Sequence, residues 1–312
     1  EGVGLSGTGD RVEIEADFTT TKQTAKDGKE HSNTDIICRV RAGDLEAAFR
    51  SVLPADDFPL FGDDRLQGTP DRLSATTVLS EKDLYQILHD TIPSISTEET
   101  RYYLNGVYLH AKEEGRLLAV ATDGHRLTLR KTEVPYPPEL HGIVPMTAAK
   151  ALHRVLKRDG NETLTLTGTQ LMQRITSASG DWQMTFKLID GTFPDYTRVI
   201  PKKTPTWSVP LSLGMVKRIM PFMTASPWGS ERHLKFDLDQ KRMSATLSDR
   251  SEIGFPITGA EGEGKVGFNA YYLRDILSRH SPARIGSSGS GEPAIVQGED
   301  PNVLNVIMPV RV

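Results

Sequence analysis

Three features of the sequence predict an α+β fold assembled from repeated modules: a recurring strand–cap–helix pattern, period-two alternation between the helices, and turn dipeptides that cut those runs into short antiparallel strands. The repeat is seen at Thr77-Val78-Leu79-Ser80, Ile143-Val144-Pro145, Ser208-Val209-Pro210-Leu211 and Val266-Gly267-Phe268-Asn269. Their anchors Ser80, Pro145, Leu211 and Asn269 lie 65, 66 and 58 residues apart. Four residues past each anchor stand Leu84, Ala149, Met215 and Leu273; eight past stand Leu88, His153, Ile219 and Leu277. All but His153 are apolar, which marks one buried face of a helix. Ser80 and Asn269 are good N-caps, and Pro145 suits a helix start.

Along the chain, the first element is a strand: Val12, Ile14, Ala16 and Phe18 alternate with Glu13, Glu15 and Asp17. The stretch 20–33 (TTKQTAKDGKEHSN) reads as a linker or exposed loop. No clear helix precedes Ser80, and helices are expected after Ser80 and after Pro145. Leu164 and Leu166 then alternate with Thr163, Thr165 and Thr167, and Leu234, Phe236 and Leu238 repeat that style between the last two helices. Asp123-Gly124 and Asp159-Gly160 mark turns. Leu53-Pro54-Ala55-Asp56-Asp57-Phe58-Pro59 echoes Ile189-Asp190-Gly191-Thr192-Phe193-Pro194-Asp195, and Pro201-Lys202-Lys203-Thr204-Pro205 reads as a linker. Boundaries are expected near 68–72 and 201–206, giving modules 1–68, 69–203 and 204–312, the first of them incomplete.

Apolar residues at 37% and charged residues at 25% are globular proportions and argue against a disordered chain. Cys38 is the only cysteine, so no internal disulfide can form, and a reduced, cytoplasmic setting is the simplest reading. No apolar run reaches the ~18 residues of a membrane span. The start Glu1-Gly2-Val3-Gly4 lacks an initiator Met, a basic segment and an apolar stretch, which reads as no signal peptide and as a start that is not the natural one.

The motifs that suggest catalysis fail on context. Gly2-Val3-Gly4-Leu5-Ser6-Gly7 has dinucleotide-loop spacing, but an alternating strand follows where a helix is required. The run 259–265 (GAEGEGK) approaches a phosphate loop, but Val266 lacks the metal-binding hydroxyl, and Glu261 and Glu263 would repel phosphate. Asp123 and His125 have no second histidine at ligand spacing and read as turn or surface residues. The expectation is therefore no catalytic residue, no metal and no cofactor.

The net charge of −4 gives no sign of a nucleic-acid partner until it is divided. The helical segments 146–158, 211–223, 269–280 and 79–90 carry +4, +2, +1 and −2, so together they hold +5 and leave −9 elsewhere. Helices sharing one side would make that side weakly basic, suited to loose contact with phosphates.

Arg101-Tyr102-Tyr103-Leu104-Asn105-Gly106, Ala119-Val120-Ala121-Thr122-Asp123-Gly124-His125-Arg126-Leu127, the run 187–199 (KLIDGTFPDYTRV), Gly267-Phe268-Asn269-Ala270-Tyr271-Tyr272-Leu273 and Val306-Ile307-Met308-Pro309-Val310-Arg311-Val312 follow one another over 69–312. On these residues the chain resembles the bacterial DNA polymerase III beta subunit family, the beta sliding clamps. The resemblance implies a DNA-clamp fold of three repeated domains, each with helices packed on antiparallel sheets, and a head-to-tail homodimeric ring with its helices lining the hole. It implies a non-catalytic processivity factor of DNA replication. Such a protein encircles duplex DNA regardless of sequence and tethers the DNA polymerase III catalytic subunit, the clamp loader and other clamp-binding-motif proteins, with no membrane partner.

By resemblance, a peptide pocket between the second and third domains would use Leu104, Thr122, Gly124, His125, Arg126, Leu127, Pro194, Arg198, Val199, Asn269, Tyr272, Val306, Ile307, Met308, Pro309, Val310, Arg311 and Val312. Leu127, Val199, Ile307, Met308 and Val310 would supply an apolar groove, with Arg198 and Arg311 on its rim. Lys150, Arg154, Lys157, Lys217 and Arg218 are candidates for the DNA-facing surface, with Tyr102 and Tyr103 carried over from the family. The chain departs from the family at Met146-Thr147, where a basic pair is common, and at Val310 and Val312, where larger residues are common. In the first module only 5–14 and 53–59 match, the two expected helices are absent, and residues are expected to be missing before Glu1 and within about 20–42. A divergent paralogue that captures peptides without closing on DNA is the alternative.

Overall fold

In the computed structural model, which describes residues 12–24, 30–42, 45–50, 75–111, 115–224, 232–247 and 251–311, each anchor of the repeat is followed by a helix. The chain divides into two units, Glu1–Asp71 and Arg72–Val312. The 2–7 glycine run, the 53–59 echo, the boundary near 68–72 and Val312 lie outside the described residues.

In the first unit β1 (Val12–Thr24), β2 (Glu30–Ala42) and β3 (Leu45–Arg50) form one antiparallel sheet in that order. This corrects the loop expected at 20–33, because 20–24 and 30–33 are strand, with Thr20 opposite Thr34 and Thr24 opposite Glu30. Threonine is β-branched and favours extended backbone, and cross-strand pairing does not require alternation when both faces are polar.

The second unit runs through one series of elements twice. The first pass is β4 (Ala75–Ser80), α1 (Glu81–Thr91), β5 (Gly106–Ala111), β6 (Arg116–Thr122), β7 (Arg126–Pro135), β8 (Gly142–Pro145), α2 (Met146–Val155), β9 (Thr163–Gly168), β10 (Met172–Ser177) and β11 (Gln183–Lys187). The second pass is β12 (Trp207–Leu211), α3 (Leu213–Thr224), β13 (His233–Asp237), β14 (Arg242–Thr246), β15 (Glu252–Pro256), β16 (Lys265–Asn269), α4 (Ala270–His280), β17 (Ala283–Ser287), β18 (Ala294–Gln297) and β19 (Val303–Ile307).

The caps are as the sequence suggests. Ser80 Oγ accepts the N–H of Asp83 at 3.0 Å, and Asn269 Oδ1 accepts that of Tyr271 at 2.9 Å. Leu84, Ile87 and Leu88 of α1, Ala149 and Leu152 of α2, and Leu273, Ile276 and Leu277 of α4 are buried. In α3 the phase differs from expectation: Val216, Ile219 and Met223 are buried and Met215 is only half-buried. That helix begins at Leu213, two residues after the strand residue used as its anchor.

Two four-stranded sheets, β11-β10-β9-β4 and β15-β14-β13-β16, flank an eight-stranded sheet of order β12-β17-β18-β19-β7-β6-β5-β8. Four strands of the long sheet come from each pass, and they meet where β19 pairs antiparallel with β7, from Val303 opposite Arg130 to Ile307 opposite Arg126. Opposite residues share a face, so Thr128, Asn305 and Ile307 look toward the helices while Leu127, Leu129 and Val306 look away. The helix side carries two cores. One packs α1 and α2 through Leu88 and Leu152 on Val107, Leu109 and Ala119; the other packs α3 and α4 through Ile219 and Leu277 on Ile285, Val296 and Ile307.

Polar groups join the two passes at this seam. Arg130 donates to Asp90 at 2.7 Å, to Asp300 at 2.9 Å and to Gln86 at 2.7 Å. Thr128 donates to Asn305 at 2.9 Å, and Arg279 Nε to the His89 carbonyl at 2.6 Å. Among the described residues no helix is long and apolar enough to cross a membrane.

Candidate functional site

The face of the long sheet turned away from the helices carries an apolar cluster of its own, containing Leu104, Leu118, Val120, Leu127, Leu129, Ile143, Phe193, Tyr196 and Val306. It opens into a cavity of about 260 Å³ lined by Arg101, Tyr103, Leu104, Thr122, Gly124, His125, Arg126, Leu127, Pro194, Asp195, Tyr196, Val199, Val306 and Met308. Both passes contribute: Val306 and Met308 come from the end of the second, the rest from the first and the segment after it.

The β6–β7 turn builds one wall. Asp123 Oδ1 accepts the N–H groups of His125 at 2.9 Å and Arg126 at 3.0 Å, and Thr122 Oγ1 accepts that of Gly124 at 3.1 Å. Gly124 has φ +88°, and a Cβ there would lie 2.7 Å from the Arg101 guanidinium, so a side chain is opposed by both backbone and space. The carbonyl of His125 accepts the Met308 N–H at 2.8 Å, which ties the chain's tail to the turn. Met308 is left 37% exposed, a flexible thioether at the cavity mouth.

Arg126 connects the cavity to the helix layer. Its guanidinium bonds Asp123 at 3.0 Å and Asp275 of α4 at 3.0 Å, and lies 4.3 Å from the centre of the Tyr272 ring. Arg101 is held by Glu98 through a 2.8 Å bond from Nε, and that bonding keeps the Glu98 carboxyl below its ordinary value. Tyr196 shares a 3.1 Å hydrogen bond with His110, and burial pushes its phenol up to about 12. At neutral pH it is therefore an uncharged, mostly apolar wall.

Leu104, Thr122, Gly124, His125, Arg126, Leu127, Pro194, Val199, Val306 and Met308, all assigned to the pocket by the resemblance, line this one cavity. Tyr272 lines an adjoining cavity of about 610 Å³ that shares Arg101, His125 and Arg126. Asn269 caps α4, and Arg198, 83% exposed, pairs with Asp195 at 3.0 Å. Ile307 is a correction: it is fully buried in the core of α3 and α4, because adjacent strand residues point to opposite faces and Val306 takes the outer one. Val310 is not among the lining residues; its N–H bonds the Gly267 carbonyl at 2.8 Å, and exposed Arg311 and half-buried Pro309 flank it without lining the cavity.

Tyr103, carried over from the family as a DNA contact, lines the cavity, and Tyr102 stands 53% exposed beside it. Lys150 and Arg154 on α2 and Lys217 and Arg218 on α3 are exposed in the helix layer; Lys157 is also exposed but lies past the end of α2. Arg101, Asp195 and Tyr196 are lining residues that the sequence reading did not assign to the site. All three sit inside the runs that carry the family resemblance, between or beside assigned residues. Spacing between Pro194 and Val199 was the available signal.

Among the described residues no group of three or more His, Cys, Asp or Glu could hold a metal ion. The 259–265 loop leads into strand β16; Gly259, Gly262 and Gly264 have positive φ, and Glu261 accepts from Ser208 and pairs with Arg284, both at 2.8 Å.

Comparison with known proteins gives a consistent picture. The model for the DNA polymerase III beta subunit, central domain, matches residues 78–195. A beta sliding clamp of Caulobacter vibrioides is 36% identical over 279 residues, covering 84% of this chain and 70% of the relative. The beta sliding clamp of Escherichia coli K12 is 28% identical with the same two coverages. Among solved structures, the sliding clamp of Bartonella birtlesii bound to griselimycin superposes with TM-score 0.72 at 28% identity, covering 90% of this chain and 77% of that one. The DNA polymerase sliding clamp of Caulobacter crescentus gives 0.70 at 30%, covering 89% and 77%.

Proposed function

The chain belongs to the bacterial DNA polymerase III beta subunit family, the beta sliding clamps, and from that premise we propose that it is a non-catalytic processivity factor of DNA replication. It would encircle duplex DNA as a head-to-tail homodimer and hold the polymerase and other clamp-binding proteins by short peptides. The observation that carries this reading is the 260 Å³ apolar cavity, assembled from both passes on the sheet face opposite the helices. Lys150, Arg154, Lys217 and Arg218 are exposed in the helix layer, on the other side of that sheet, where they would meet phosphates. Such contacts are sequence-independent and weak, which permits sliding.

Ring closure has support in the repeat. β15 holds the place in the second pass that β7 holds in the first, and β7 is paired with β19. Among the described residues the outer edge of β15 has no strand partner, and α3, which packs beside it, exposes Phe222 to 49%. A strand from a second copy added to β15 would repeat the β19–β7 seam between chains.

The test is topological. Loaded by a clamp loader, the protein should persist on a closed circular plasmid and run off once the plasmid is linearised. Equal retention on both forms would refute encirclement. A divergent paralogue that binds peptides without closing on DNA is favoured by one feature, a first unit with three described strands and no helix among its described residues. It predicts peptide binding with no retention on either form.

A further inference from the structure

A second cavity, of about 340 Å³, lies on the same sheet face as the candidate peptide pocket and shares Tyr196 with it. Leu118, Leu129 and Ile200 supply its apolar walls, Asn302 closes one side, and Lys131, Arg116 and the carboxylate of Glu133 stand at its rim. The two cavities are in line along β7. Leu127, Leu129 and Lys131 are alternate residues of that strand and point to one face, with Leu127 in the first cavity and Leu129 and Lys131 in the second. The Tyr196–Arg198 turn is the ridge between them.

The charge around the second cavity is uneven. Arg116 is partly satisfied by Glu133, its Nε lying 3.7 Å from that carboxylate. Lys131 is exposed, its N–H bonds the Asn302 carbonyl at 2.8 Å, and its ammonium has no ion pair among the described residues. The first cavity holds apolar walls and two arginines already matched, Arg126 by Asp123 and Asp275 and Arg101 by Glu98, so it offers little to an acidic group.

We propose that this second cavity is an extension subsite for the flank of a bound partner peptide, taking an acidic residue next to an apolar one. The inference rests on the reading of the first cavity as a peptide pocket. An extended chain rises roughly 3.3 Å per residue, and Leu127 to Lys131 spans four strand residues, so the acidic residue should fall about four positions from the apolar anchor. Leu129 and Ile200 would pack the apolar neighbour, and Lys131 would meet the carboxylate. An exposed charge pair of this kind discriminates by about two- to fivefold and fades at high salt.

The test uses the full chain and synthetic peptides carrying an anchor of two large apolar residues, which suits the apolar walls of the first cavity, followed by fluorescence anisotropy. One peptide has Asp four residues from the anchor on either side, one has Ser there, and one has Lys. The Asp peptide should bind about two- to fivefold tighter than the Ser peptide, and Lys131→Glu should erase that advantage and reverse it toward the Lys peptide. The Ser peptide should bind wild type and Lys131→Glu equally. Equal affinity of all three peptides for wild type would overturn the extension subsite while leaving the pocket reading intact. Failure of every peptide to bind wild type would overturn both, and a Lys131→Glu loss shared by all three would show a general perturbation and overturn the subsite.

Discussion

Three histidines collect where α1, α2 and α4 meet. His89 stacks on Tyr85 with centroids 5.5 Å apart and on His153 at 5.6 Å, and His280 Nε2 lies 3.5 Å from Asp90. Burial, reinforced by the charge of Arg279, lowers His89 to about 4. Burial also lowers His153 and His280, although Asp90 draws His280 back upward. An imidazole held below its unfolded value of about 6.5 gives its full stabilisation above that pH and loses it as pH falls toward the folded value. Asp90 works in the opposite sense: burial raises its carboxyl, so its contribution is present at low pH and lost as pH rises through the folded value. With three groups against one, the thermal midpoint should drop between pH 6.5 and 4, and His89→Phe, which keeps the ring stack but cannot take a proton, should flatten that drop. Thermal melts at half-unit pH intervals decide it; parallel curves for the two proteins would mean that His89 is not the source.

At the level of elements, α2 carries the clearest charge asymmetry, with Lys150 and Arg154 four residues apart on one exposed face and Lys157 just beyond. Replacing all three with Ala should weaken DNA contact and reduce the slope of log affinity against log salt by about 0.9 for each phosphate contact removed. An unchanged slope would show that α2 does not face DNA. Much of this level was readable in advance. Ser80 and Asn269 announced two helix starts because their side chains do the capping, and Leu164 and Leu166 announced a strand because one face of β9 is buried. The phase of α3 was not readable, because Leu211 is apolar whether it ends the strand or opens the helix. The 20–24 and 30–33 ends of β1 and β2 were hidden by their polar composition, and the β19–β7 pairing by a separation in sequence that no local signal spans. For the site, the resemblance located most of the lining, while the period of two in β19 already forbade Val306 and Ile307 from facing the same groove.

For the whole molecule, the proposed pairing of two copies along β15 would cover Phe222, which is 49% exposed in the single chain. Placing a carboxylate there, as Phe222→Asp, should weaken self-association by at least about tenfold, since burying a Phe side chain stabilises by about 1.5–3 kcal/mol. Sedimentation velocity across a dilution series would read the shift, and an unaltered dimer would remove α3 from the joint. Inside the second unit the situation is different. There the two halves share an unbroken backbone ladder, and Arg130 anchors it on Asp90, which is 5% exposed, and on Asp300. Separating a buried partner from such a pair costs about 3–5 kcal/mol before any backbone bond is counted. If the chain closes as the proposed ring, a loader that opens it would meet strong resistance at this seam. On the proposed ring, opening would then fall at another joint, and a peptide held across this seam would stay in place while it happens.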